Sequence, residues 1–151
     1  MTVTDQTPAR TPAAPAARRP GASWWAAGAV AVAAATAANL ALLGLGHLIG
    51  ASMQHPDPSG ATVSVPAGGV AVMSAGPLAA GLLAAVLLSF LWKGFLRVGQ
   101  IVGSVLAGAS TLMPFFAETD TATQVVLGLM HVTLVPAVWF GLGAVRRRAL
   151  G

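Results

Sequence analysis

The sequence predicts an all-α integral membrane protein: a four-helix bundle of up-down topology with both termini on the cytoplasmic side. Three observations predict it. Of 151 residues, 56% are hydrophobic and only 8% are charged, against roughly 25% charged in soluble domains. The apolar residues fall into long uncharged blocks, each near the ~20 residues needed to cross a hydrocarbon core of ~30 Å. All eight lysines and arginines flank these blocks on one side once the number of spans is even.

Residues 1–23 are rich in Pro, Ala and Thr and show no periodic apolar face. Such a segment has too little apolar surface to bury, which predicts a disordered cytoplasmic tail ahead of a four-helix domain over residues 24–151. Ser23 is an N-cap for the first helix, read over about 24–51. That block carries no charge and is long enough to span with some tilt. The alternative is a signal peptide: Arg18 and Arg19 precede the block, and Ala35-Thr36-Ala37 fits a small-x-small site whose cleavage would remove residues 1–37. The apolar run continues beyond that site, however, and exceeds the ~7–15 residues of a signal core.

Residues 52–68 hold Pro56, Pro58, Gly60 and Pro66, which break helix, and a β-like alternation at Thr62-Val63-Ser64-Val65. This is the largest loop. The second helix, about 69–92, ends at Lys93. The third, about 98–117, follows after Lys93-Gly94-Phe95-Leu96-Arg97, a connection short enough to force an antiparallel hairpin. The acidic turn Glu118-Thr119-Asp120 leads to the fourth, about 122–145, which stops at Arg146-Arg147-Arg148.

With the N-terminus inside, Arg10, Arg18, Arg19, Lys93, Arg97, Arg146, Arg147 and Arg148 are all cytoplasmic, as the positive-inside rule requires. Asp57, Glu118 and Asp120 fall outside. Trp24, Trp25, Trp92 and Trp139 sit near the cytoplasmic helix ends, at headgroup level where indoles concentrate. The net charge of +4 therefore reads as topology signals and lipid-phosphate contacts rather than a nucleic-acid surface.

Lipid solvates leucine as well as a neighbouring helix does, so helix association rests on close packing and interhelical hydrogen bonds. The spacings Gly46-x-x-x-Gly50 and Gly99-x-x-x-Gly103 permit either dimerisation or packing within the bundle. The abundance of Ala and Gly favours the second.

Polar residues inside a span are expensive and carry a functional hypothesis by default. At 1.5 Å per residue, His131 lies ~13 Å and Asn39 ~16 Å below the outer surface. His47 is nearer the outer rim, Ser74 is on the same side, and Ser110 and Thr111 occupy the outer half of the third helix. Asn39, His47, Ser74, Ser110, Thr111 and His131 thus form a candidate intramembrane polar cluster. It is either an outward cavity, in which His131 binds or relays a proton while Asn39 orients its ring, or interhelical glue worth ~0.6 kcal/mol per pair. Pro136 frees a carbonyl one turn earlier and kinks the fourth helix near that depth.

Other chemistry finds little support. There is no cysteine, so neither a disulfide nor a thiolate site is available. Met53, Met73, Met113 and Met130 share the outer half with the three histidines, and thioether with imidazole suits Cu(I), but no ligand spacing accompanies them and methionine is common filler. A haem between His47 and His131 would need matched depth, and the two differ by ~8 Å. No nucleophile elbow, zinc or phosphate-loop motif is present, and no carboxylate lies within a span. The expectation is no enzyme, no catalytic residue, no metal and no cofactor.

The four spans, the Pro/Gly loop after the first, the Val63-Ser64-Val65-Pro66 stretch and the Met130-His131 pair together resemble an uncharacterised family of small actinobacterial membrane proteins, a domain of unknown function with four predicted helices. The resemblance covers residues 24–148. It implies the fold and a plasma-membrane address, and it carries no activity, cofactor or site. The function expected is that of a non-enzymatic accessory or interaction protein, partnered by the bilayer, by another membrane protein or by further copies of itself, with no nucleic acid. The alternative is a small transporter or permeation subunit with an outward polar cavity around Asn39 and His131.

Overall fold

The computed structural model describes residues 23–57 and 59–150; the disordered tail expected over 1–23, apart from Ser23, lies outside them. The chain is mostly helical. In order it forms α1 (Trp24–Leu48), β1 (Gln54–Pro56), β2 (Thr62–Ser64), α2 (Ala67–Ser89), α3 (Phe95–Ser110), a 3-10 turn (Met113–Phe116) and α4 (Thr121–Leu150). Taking the 3-10 turn together with α3, four helices among the described residues are long and apolar enough to cross a membrane.

Each boundary has a local cause. α1 ends at Leu48 rather than near Ala51 because Gly50 takes φ +78°, a left-handed conformation that glycine adopts without a Cβ penalty. The Gly50 N–H donates to the His47 carbonyl at 3.2 Å and the Ala51 N–H to Gly46 at 3.0 Å, which satisfies two of the orphan carbonyls at the helix end. α3 starts at Phe95, inside the segment read as a loop. Trp92 and Phe95 stack edge to face with centroids 5.5 Å apart, and the Val98 N–H donates to the Gly94 carbonyl at 3.1 Å, so the connection is nearly all turn and helix. The far end of α3 gives way to the 3-10 turn where Pro114 enters, since proline has no N–H to offer the carbonyl four residues back. α4 runs one turn past Val145, carrying Arg146–Arg148 as helix. Pro77 and Pro136 both lie inside helices without ending them.

The hairpin adds a strand pair that the all-helical expectation lacked. β1 and β2 are antiparallel in the register Gln54↔Ser64, His55↔Val63 and Pro56↔Thr62. The turn between them is held by Asp57, whose Oδ1 accepts from the Ser59 N–H at 2.8 Å, the Ser59 hydroxyl at 2.6 Å and the Ala61 N–H at 2.9 Å. Those bonds hold its carboxyl below the ordinary range, the Ser59 hydroxyl contributing most.

α4 packs most extensively against α1 and α3, and α2 bridges α1 to α3. Met53 and Ser52, after α1, meet Thr123 and Asp120 at the start of α4, so these termini share what we call the hairpin end. At the other, basic end, Gln100 of α3 bonds the Trp139 carbonyl of α4 at 2.8 Å, and the Arg97 guanidinium lies 5.9 Å from the centre of the Trp139 ring, within cation–π range.

Two apolar clusters fill the interior. Leu78, Leu82, Leu96, Leu142 and Val145 belong to the one toward the basic end; Leu43, Met53, Val70, Val126 and Met130 belong to the one under the hairpin. Of the GxxxG glycines, Gly46, Gly99 and Gly103 pack against neighbours inside the bundle, whereas Gly50 is exposed with open space around it. A Cβ on Gly46 would sit 2.9 Å from Met53 Sδ and 3.3 Å from Val126 Cγ1, and one on Gly103 would sit 2.9 Å from Val138 Cγ1.

Candidate functional site

Between the two clusters lies a polar set drawn from three helices. Asn39 of α1 is 2% exposed and Ser74 of α2 is 4% exposed. The Asn39 amide Nδ2 donates to Ser74 Oγ at 2.8 Å, and Asn39 Oδ1 accepts from the Thr133 hydroxyl of α4 at 2.5 Å. Thr133 Oγ1 is also 2.8 Å from the Met130 carbonyl, so one hydroxyl proton is shared between two acceptors. A buried amide without partners carries a heavy desolvation penalty; here both of its polar atoms are engaged.

Asn39 and Ser74 are thus brought together, while His131 stays apart from them. Its ring Nδ1 sits 2.8 Å from the Leu127 carbonyl of its own helix. The reason is helical geometry: successive residues are ~100° apart around an α-helix, so His131 lies ~200° from Thr133 and turns away when Thr133 faces Asn39. Ser110 and Thr111 bond back to the Ala107 carbonyl at 2.8 and 3.4 Å, and His47 is exposed near the end of α1. Thr133 escaped the sequence reading. Its signal was a shared spacing: Ser74 and Thr133 each stand three residues before an intrahelical proline, Pro77 and Pro136.

A second polar set holds the hairpin end. Asp120 precedes α4 and its Oδ1 accepts from the Thr123 N–H at 2.9 Å, the geometry of an N-cap. Its Oδ2 accepts from the Ser52 hydroxyl, from the Ser52 N–H at 3.2 Å and from the Thr123 hydroxyl at 2.6 Å. The same Thr123 oxygen accepts from the Met53 N–H at 2.9 Å. Met53 is fully buried at φ +48°, a left-handed backbone that costs a non-glycine residue ~1–2 kcal/mol and that these bonds hold in place. The Ser52 hydroxyl first, then the Thr123 hydroxyl and N–H, depress the Asp120 carboxyl far below the ordinary carboxylate range. One of its partners, Ser52, comes from a loop more than sixty residues away in sequence.

Chemically, the central set orients helices. It contains an amide and two hydroxyls, with no group that titrates near neutral pH. Among the described residues no three His, Asp or Glu side chains converge in a way that would hold a metal ion.

Fold and site together define a mostly helical chain of four membrane-length helices, tied at mid-depth by an Asn–Ser–Thr hydrogen-bond set and closed at one end by a carboxylate-capped loop. The chain belongs to the family of unknown function DUF6069, whose model matches residues 19–149. No curated protein matches it, and no solved structure does.

Proposed function

We propose that the protein is a non-enzymatic, multi-pass component of a bacterial plasma membrane, of actinobacterial type by its alanine-rich, lysine-poor composition, with both termini in the cytoplasm. It acts through contacts its outer faces make within the membrane, as an accessory subunit of another membrane protein or through copies of itself. The observation that carries this reading is the state of the interior: Asn39 bonds Ser74 of α2 and Thr133 of α4 between two apolar clusters, as interhelical glue does. The proposed orientation draws on Lys93, Arg97 and Arg146–Arg148 standing together at the end opposite Asp57, Glu118 and Asp120.

The second reading, a permeation subunit, draws on Thr36 Oγ1, Gln100 Oε1 and Ser104 Oγ, buried oxygens that bond no protein group among the described residues. Buried polar atoms of this kind are places where water enters a protein interior.

Reconstitution of the full chain into sealed vesicles separates the two. The interaction reading expects proton and monovalent-cation flux at the protein-free background, and a defined mass of homo-oligomer or partner complex on release from native membrane. Flux above background that Ser104→Val or Gln100→Leu abolishes, in a chain that still folds, overturns it in favour of permeation.

A further inference from the structure

A lateral groove of about 590 Å³ runs between α1 and α4. Its floor is small and apolar, with Ala27, Ala34 and Ala38 on one side and Phe140 on the other; Thr133 closes its inner end and Arg148 stands at its mouth. From Thr133 to Arg148 the helix rises ~22 Å. One leaflet of a bilayer, headgroup included, is ~20–22 Å thick. The groove therefore has the length of one lipid and places its single charge at the level of the phosphate.

We infer that this groove binds an anionic phospholipid of the cytoplasmic leaflet, one acyl chain lying along the alanine floor of α1 and the phosphate meeting the Arg148 guanidinium. The inference rests on the membrane reading above. Charge complementarity selects the occupant: Lys93, Arg97, Arg146 and Arg147 surround the same end, whereas the described carboxylates Asp57, Glu118 and Asp120 all lie at the other. A second copy of this bundle in the same orientation would bring cations to cations. Guanidinium groups favour phosphate through paired, charge-assisted N–H donors. Arg147 serves as a control within the same basic run, because it turns toward Gly143 and Gln100 and away from the groove.

The test uses the full chain in vesicles of equal parts phosphatidylglycerol and phosphatidylcholine. Alkaline carbonate extraction comes first: a chain that is stripped from the vesicles overturns the membrane reading itself. The retained chain is then released and weighed by native mass spectrometry. One phosphatidylglycerol per chain is expected, held in preference to phosphatidylcholine. Arg148→Gln lowers that preference about fivefold, the effect of one cation near an anionic surface; Arg148→Lys and Arg147→Gln leave most of it. Ala34→Leu fills the groove from an exposed position and lowers the lipid retained. An unchanged thermal midpoint in each variant ties the loss to the groove. Equal retention of both lipids, equal losses from Arg147→Gln and Arg148→Gln, or a lipid-free dimer overturns the inference while leaving the membrane reading intact.

Discussion

Asn39 in α1 and Ser74 in α2, 35 residues apart, meet at 2.8 Å between the two apolar clusters. With Thr133 on the other side of the same amide, one asparagine fixes the rotation of three helices about their axes. In a bundle floored by alanine and glycine, where apolar packing would tolerate many rotations, such a contact selects one of them.

Asn39→Leu removes both bonds and forces an isobutyl group against two hydroxyls. A loss of about 1–2 kcal/mol is expected, read as a lowered thermal midpoint or a shifted denaturation curve in detergent. Ser74→Ala, which removes one bond, loses about 0.6 kcal/mol. An Asn39→Leu protein as stable as the parent would show that the amide orders nothing.

His131→Gln behaves differently. The ring is half-buried and bonds only its own helix, so the bundle keeps its fold and its midpoint moves by less than about 0.5 kcal/mol. A large destabilisation would place His131 in a contact the Asn39 set does not include.

Acid weakens the hairpin end. Asp120 is held below its ordinary pKa by hydroxyl and N–H donors, so the folded state resists protonation that the unfolded chain accepts. The stabilisation is fully present above the usual carboxylate pKa of about 3.9 and is lost as pH falls below it. Thermal midpoints taken from about pH 7 down to about pH 3 should therefore fall more steeply for the parent than for Asp120→Asn, which retains a cap and cannot ionise. Parallel profiles would show that the Asp120 carboxylate does not stabilise the hairpin end.

Gly50→Ala places a Cβ on a residue at φ +78° and is expected to lose about 1–2 kcal/mol. Gly46→Val meets Met53 and Val126 directly, and overpacking of that kind costs about 1–3 kcal/mol. In both, amide exchange should quicken first in the segment from Ala51 to Val65, which those contacts anchor.

A reporter joined after Gly151 and one inserted at Ser59-Gly60 test orientation. The first is expected to read cytoplasmic and the second external. The reverse pattern, or both on one side, would overturn the proposed arrangement of spans.

Composition and charge placement were enough to read four apolar helices from the sequence, because hydrophobic length is written locally, one residue after another. Boundaries were less legible where a special backbone decided them: Gly50 and Pro114 stop helices earlier than hydropathy suggests, and the stretch around Gly94 turned out to be helix and turn rather than loop. The polar cluster was half visible. Depth along a helix follows from counting residues, and it put Asn39 and His131 near one level with Ser74 on the same side. Rotation about the axis does not follow from counting, since α1, α2 and α4 are apolar over most of their circumference and carry little signal of which face turns inward. His131 and Thr133 lie two residues apart, and only the packing of α4 against α1 chose between them.

The sequence by itself determined that this chain has four membrane-length helices and a basic end, because these depend on the solvation of single side chains. Tertiary structure alone decided that Thr133 and not His131 completes the amide site, that Asp120 binds the loop after α1, and that α1 and α4 leave a groove ending at Arg148. Each of those depends on how far two helices turn toward one another, a quantity set by the packing of small residues across the whole interface and carried by no single residue in the chain.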